Sequence, residues 1–277
     1  MSKTLKYQQP MSPIADIYTA TVLKLSRDAQ EQSKVKLDIS YGSEDEQLLD
    51  LYLHESSTST GVPVLLFIHG GAWTHGYKEW MGFMASAITC LPAIFVSVGY
   101  RLAPDSKFPS PLDDCRNALQ WVYQNINRYG GDHDRIFVGG HSAGGHLAAL
   151  ITLQLDALPR HGLPKNVVKG CFPVSGVFDI SGEALTLAKP FLKSCNDAAN
   201  ASPILHVRGN TVPFFIAVGE NEDSIMKSQS EDMVSALKTQ SGVVRVLEMK
   251  GCDHFQTNIK GGDIDGEWAS TVRRLMA

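Results

Sequence analysis

RIFVGGHSAGGHLAALITLQL, residues 135–155, is the stretch whose reading decides the fold. Its first part is a short apolar strand, and its second part is an apolar, alanine-rich helix. Between them stands Gly140-His141-Ser142-Ala143-Gly144, a G-x-S-x-G sequence in the strand–turn–helix setting that makes it meaningful. A turn this sharp lifts the side chain at its apex clear of the sheet. Gly140 and Gly144 carry no side chains, so strand and helix can come close. The helix N-terminus adds partial positive charge beside that apex. Ser142 is therefore the candidate nucleophile of an α/β domain.

Working outward, the flanking segments repeat the alternation. VPVLLFIHG (62–70), AIFVSVG (93–99), VVKGCFPVSG (167–176), VPFFIAVGE (212–220) and VVRVLEM (243–249) are short and nearly all apolar. Strands of that kind are buried on both faces, as in a parallel sheet covered by helices. VKLDIS (35–40) and LLDLYLHE (48–55) instead alternate, which predicts an antiparallel pair with one wet face. Helices are predicted over 110–131, where Ser-Pro opens and Gly closes the segment, and over 143–155, 224–242 and 265–276. Residues 1–30 show weak helical periodicity and no strand signal, and SSTST (56–60) reads as a polar loop. Eight strands with intervening helices predict one doubly wound domain over residues 1–277. The N-terminal segment 1–34 and the long connection 181–205 are candidate cap elements.

Composition excludes several classes. The chain has 277 residues, 43% hydrophobic and 19% charged, with net charge −4 and no Lys/Arg block. That argues against a nucleic-acid partner, which needs a clustered basic face. The N-terminus has no apolar core of a signal peptide, and no run of about 18 apolar residues predicts a membrane span. Five cysteines, an odd number with no CxxC pair, predict free thiols and a cytoplasmic setting.

Two further motifs carry chemistry. HGGAW (69–73) follows the first buried strand, where small residues leave backbone N–H groups uncovered for a tetrahedral oxyanion. Gly71 and Ala72 are assigned as donors with Ala143, and Trp73 either packs the loop or walls a substrate pocket. GCDHFQ (251–256) follows the last strand, and His254 there is the candidate base. Of the other histidines, His69 and His141 are expected to orient loops, His146 to pack, and His54, His75, His133, His161 and His206 to lie at the surface. The acid that should orient the base comes from GENEDS (219–224), where Glu220, Glu222 and Asp223 compete. A Gly-x-x-acid spacing favours Glu222. Asp223 remains the alternative, being the commoner residue type for the role.

Taken together, HGGAW, YRLAPDSKFPSPLDDC (100–115), GHSAGG and the late DHF resemble the α/β-hydrolase superfamily. Two branches are close: the hormone-sensitive-lipase-like carboxylesterases and the kynurenine formamidase (arylformamidase) group. YRLAP and PLDDC look like the esterase branch, which usually shows GDSAGG and HGGG; here His141 and Ala72 depart from that pattern. GHSAG, GVFDI (176–180), NDAANASP (196–203) and GENEDSIMKSQS (219–230) are more similar to the formamidase group, whose GxxE…QS pattern falls with its acid on Glu222. The resemblance implies an α/β-hydrolase fold, with a mostly parallel eight-stranded sheet, helices on both faces and a small cap. It implies a serine hydrolase of small esters or aryl amides, with a dedicated arylformamidase as the alternative, and no metal or organic cofactor. A ligand receptor on the same fold is the reading from another class. Receptors of that kind usually lose the nucleophile or base, and both candidates are retained here.

Overall fold

The computed structural model describes residues 7–55, 60–182 and 184–277; the predicted SSTST loop lies outside them except for Thr60. Its centre is one sheet of eight strands: β1 (Lys34–Ser40), β2 (Leu48–Leu53), β3 (Val62–Ile68), β4 (Ile94–Val98), β5 (Gly131–His141), β6 (Val168–Val174), β7 (Phe214–Gly219) and β8 (Val244–Met249). Their spatial order is β1-β2-β4-β3-β5-β6-β7-β8. The pairs β1–β2 and β2–β4 run antiparallel, and every later pair is parallel. The helices are α1 (Pro13–Glu31), α2 (Ala85–Thr89), α3 (Ser110–Asn125), α4 (Ala143–Leu153), α5 (Leu185–Ala188), α6 (Ser224–Lys238), α7 (His254–Gly261) and α8 (Glu267–Met276).

Alternation along the strands explains the unbroken apolar runs. In β3, Val64, Leu66 and Ile68 enter a core shared with Leu119 of α3, Leu147 of α4 and Leu237 of α6. Leu65 and Phe67 enter the opposite core, with Val22 of α1, Ile88 of α2 and Trp268 of α8. Both faces of the strand are thus dry.

Two expectations are corrected. β2 has no wet face, because α2 and the turn Lys78–Trp80 lie over it. Asp50, the polar member of its alternation, is fully buried and bonded to Lys78 Nζ at 2.9 Å. The helix predicted over 110–131 stops at Asn125; a 3-10 turn, Ile126–Tyr129, follows, and Gly130 at φ 89° releases the chain into β5. Where residues 1–30 show only weak helical periodicity, the structure has the long α1. Its start signal is present, with Ser12 capping Ala15 N ahead of Pro13. Its buried stripe, however, includes small or polar residues such as Ala15, Ser26 and Ala29, while Ile14 and Ile17 point outward.

The YRLAP…PLDDC motif has a structural task. Asp114 of α3 is fully buried. It accepts from Arg101 Nε (2.8 Å), Arg101 Nη2 (2.6 Å), the Arg101 backbone N–H (3.0 Å) and Gln47 Nε2 (2.7 Å). One carboxylate thus ties the loop after β4 and the β1–β2 turn to α3. Removing one partner of a buried ion pair leaves the other uncompensated. Arg101→Ala is expected to lower unfolding free energy by about 3 kcal/mol, read from the urea midpoint at unchanged m-value.

Candidate active site

Ser142 joins β5 to α4 with φ 54° and ψ −119°, a strained backbone for a residue with a side chain. Its neighbours show why the turn persists. A Cβ on Gly144 would lie 2.0 Å from the Ile68 carbonyl oxygen, and one on Gly140 would lie 2.4 Å from the Gly144 carbonyl carbon. Only glycine permits that approach. The Ser142 backbone N–H donates to Val174 O at 2.9 Å, and its carbonyl accepts from His146 N at 3.0 Å. Apex and helix are held from both sides, with the Ser142 side chain half-buried at the C-terminal end of the sheet.

His254 Nε2 lies 3.0 Å from Ser142 Oγ, and His254 Nδ1 lies 2.5 Å from Glu222 Oε1. These residues come from the turns after β5, β8 and β7, three strands whose ends share one edge of the sheet. His254 is the first residue of α7, a helix that the sequence reading did not anticipate. Asp253 caps it, accepting from Phe255 N (3.0 Å) and Gln256 N (2.8 Å), while Gln256 Oε1 accepts from Asp253 N. The DHF motif therefore sets the base at a capped helix start.

The three competing acids have different partners. Glu220 accepts from Gly251 N at 2.8 Å and pairs with Lys250. Asp223 caps α6 by accepting from Ile225 N at 2.8 Å. Glu222 alone of the three meets His254, and its side chain is fully buried. Burial pushes the Glu222 carboxyl up, but the hydrogen bond from His254, its charge and the Ser175 hydroxyl outweigh that and leave it below the usual value.

HGGAW forms a turn with three successive positive φ angles: Gly71 at 111°, Ala72 at 51° and Trp73 at 60°. The Gly71 carbonyl is turned inward to accept from Thr74 N (3.0 Å) and His75 N (2.9 Å). A Cβ on Gly70 would stand 3.1 Å from Ser142 Cβ, so this loop passes directly against the candidate nucleophile. Ala143 opens α4, where the first amides have no partner within the helix. Of the two roles open to Trp73, the structure shows packing and not a pocket wall. Its indole is fully buried, stacks on Phe191 (4.9 Å, 17°) and donates to His146 Nδ1 at 3.1 Å.

His146 in turn donates from Nε2 to Ala201 O at 2.6 Å, so its ring bridges the HGGAW loop and the 184–205 segment. Since the indole only donates, His146 must be neutral with its proton on Nε2. Burial holds it at about 4 and holds His69 at about 4; it also keeps His141 well below the ordinary value, with His254 nearby adding to the effect. His141 donates to the His254 carbonyl at 2.8 Å. A cavity of about 920 Å³ lies behind this loop, lined by His69, Thr74, His75 and Tyr100, with Tyr7 to Gln9 at its rim. Ser142, Glu222 and His254 do not line it, so the site is located by hydrogen-bonding geometry and not by this cavity.

The sequence model of the BD-FAE family matches residues 49–237. The chain belongs to the BD-FAE family. Kynurenine formamidase of Salmo salar is 31% identical over 88% of this chain and 82% of its own. Esterase LipC of Mycobacterium tuberculosis is 30% identical over 77% of this chain and 58% of its own. The crystal structure of EstE1, a thermophilic carboxylesterase from a metagenomic library, superposes with TM-score 0.76 at 21% identity, covering 96% of this chain and all of that one. The fold is the α/β-hydrolase fold, and the protein is a hydrolase of ester or amide substrates. Among its described residues, no helix is long and apolar enough to cross a membrane.

Several neighbours of the site were invisible in the sequence. Ser175 and Thr257 stand beside Glu222 and His254, yet nothing in VVKGCFPVSG or in HFQTN marks their hydroxyls. Gln229, in the QS of GENEDSIMKSQS, accepts from Phe178 N (2.7 Å) and Asp179 N (3.0 Å) and donates to Asp179 O (2.9 Å). The formamidase-like motifs thus meet as a backbone clasp.

The buried histidines set an acid limit on stability. Their folded values lie below the ordinary 6.5, so unfolding takes up protons as pH falls from about 6.5 toward 4. Asp50 opposes them: burial, partly offset by Lys78, raises it from 3.8 to about 6, so it releases a proton on unfolding in that range. Three protons against one leave a net uptake near two. Unfolding free energy from urea titrations is expected to drop by roughly 3 kcal/mol per pH unit between pH 6 and 5, and to be flatter above pH 7.

Proposed function

We propose that Ser142, His254 and Glu222 act as a nucleophile–base–acid triad that hydrolyses small carboxylic esters or aryl amides through an acyl-enzyme. The observation that carries this reading is the unbroken hydrogen-bond chain from Ser142 Oγ through both His254 nitrogens to Glu222. His254 takes the hydroxyl proton as Ser142 Oγ bonds to the substrate carbonyl carbon. The N–H groups of Gly71, Ala72 and Ala143 stabilise the oxyanion, helped by the positive end of α4. His254 then protonates the departing alkoxide or amine. A water, deprotonated by the same ring, releases the acid. Glu222 keeps the proton of the resting imidazole on Nδ1 and balances the charge that forms on the ring.

Small substrates are favoured because the HGGAW loop runs close against Ser142. The 184–205 segment, tied to that loop through Phe191 and Ala201, and the N-terminal segment, whose Gln8 bonds Gly76 at both N and O, serve as the cap of a single domain. The likeness to the Salmo salar kynurenine formamidase, which extends over most of both chains, supports an aryl formamide as the alternative substrate class. Five free thiols support a reducing, cytoplasmic setting.

Ser142→Ala is expected to lower kcat on p-nitrophenyl acetate by at least about 10³-fold and to abolish labelling by an organophosphonate. Full activity in that variant would sink the triad. A panel of N-formyl aryl amides, acetyl esters and longer acyl esters, compared by kcat/KM, assigns the substrate class.

A further inference from the structure

Glu222 has two carboxylate oxygens, and His254 occupies only one. The other, Oε2, accepts from Ser175 Oγ at 2.6 Å. Ser175 follows β6 and is fully buried. It is itself a non-glycine residue at φ 46°, in the left-handed region. Its backbone N–H donates to Ala217 O at 2.8 Å, which extends the β6–β7 pairing past the end of the strand. That bond holds the backbone in a strained conformation, and the result is a hydroxyl aimed at the acid.

The surrounding donors close the network. Thr257 Oγ1 lies 3.0 Å from Ser175 Oγ and 2.7 Å from the His254 carbonyl. His141 Nε2 donates to that same carbonyl at 2.8 Å, so the carbonyl has a donor of its own. Thr257 donates its single proton to that carbonyl as well, and the Ser175 proton goes to Glu222. An ionised carboxylate only accepts, so Ser175 must be the donor in its contact with Glu222. Side-chain donors at both oxygens, with the Gly219 backbone amide as a further donor, fix the plane of the carboxylate and keep it facing the ring. Without the Ser175 hydroxyl, Oε2 loses its side-chain donor and the carboxylate is freer to pivot.

We propose that Ser175 is a positioning residue for the hydrolytic reaction: its hydroxyl holds the Glu222 carboxylate in the orientation that directs His254 toward Ser142. The inference rests on the triad reading and adds a fourth member that touches neither substrate nor nucleophile. It also explains why a left-handed serine stands where glycine would be unstrained: glycine would relieve the backbone but supply no donor.

That conflict supplies the test. In Ser175→Gly, a purely structural role predicts unchanged kcat with Tm equal or higher. Positioning predicts kcat on p-nitrophenyl acetate down by about ten- to a hundredfold, KM within twofold and Tm not reduced. The rate of Ser142 labelling by an organophosphonate should fall by a similar factor, since labelling depends on the base. Ser175→Ala, which keeps the backbone strain and loses the donor, should show the same kinetic loss, and it stands in if the glycine variant folds poorly. Wild-type kcat and labelling rate in either folded variant would overturn the proposal. Ser142→Ala, assayed alongside, separates the two claims: an inactive Ser142→Ala beside a fully active Ser175→Gly removes only the role of Ser175, whereas an active Ser142→Ala removes the triad.

Discussion

Everything at the site depends on one close approach of backbone to backbone. α4 can start immediately beyond β5 only because Gly144 lies against the carbonyls of Ile68 and His69 with no room for a Cβ. That contact drives Ser142 into its strained conformation and brings the HGGAW loop, which grows from the end of β3, alongside it. The candidate nucleophile and candidate oxyanion donors are therefore positioned by the register of two adjacent parallel strands. The sheet is the rigid element, and its two dry faces keep it so.

Around this centre the buried histidines and charged side chains have partners. His69, His141 and His146 are each neutral, with one ring nitrogen committed to a carbonyl. Neutral rings can be buried without the cost of an unpaired charge, and those of His141 and His146 tie separate segments of the chain together. Where charge is buried, it is paired. Arg101 and Asp114 fasten loops on one side, and Lys78 gathers Asp38, Asp50 and Glu79 under β1 and β2. The Glu222 carboxylate follows the same rule, with His254 on one oxygen and Ser175 on the other.

Strain is concentrated where the reading places function. Of the five non-glycine residues with positive φ among those described, Ala72, Trp73, Ser142 and Ser175 lie within the candidate site or against it, and the fifth, Asp38, is in β1. Three of the four at the site are held by an identifiable bond: Trp73 by its indole on His146, Ser142 by Val174 O, Ser175 by Ala217 O. A backbone paid for in this way keeps its side chain or amide in place without relying on a long, floppy rotamer. The N-terminal helix belongs to the same arrangement. Tyr18 of α1 packs on Phe255 at 4.8 Å, and its hydroxyl meets Asn258 of α7 at 2.6 Å, steadying the helix that begins with His254.

Local chemistry was legible in the chain alone. Continuous apolar runs identified the inner strands, since a segment dry on both faces cannot alternate, although β8, read the same way, lies at the sheet edge with Arg245, Val246 and Glu248 exposed; the Gly-x-Ser-x-Gly turn located the elbow because its steric demand falls within five residues. What could not be read were the partnerships between distant segments. That Glu222 and not Asp223 faces His254 follows from which of two adjacent residues caps α6, and only the path of the chain after β7 decides it. The burial of Asp50 depends on a turn that folds over β2, and the Ser175 hydroxyl becomes a donor to Glu222 only when β6 and β7 lie side by side. Periodicity and spacing record what each segment does with its own backbone. The directions in which buried polar side chains find partners are set by packing between segments, and the folded sheet is what establishes them.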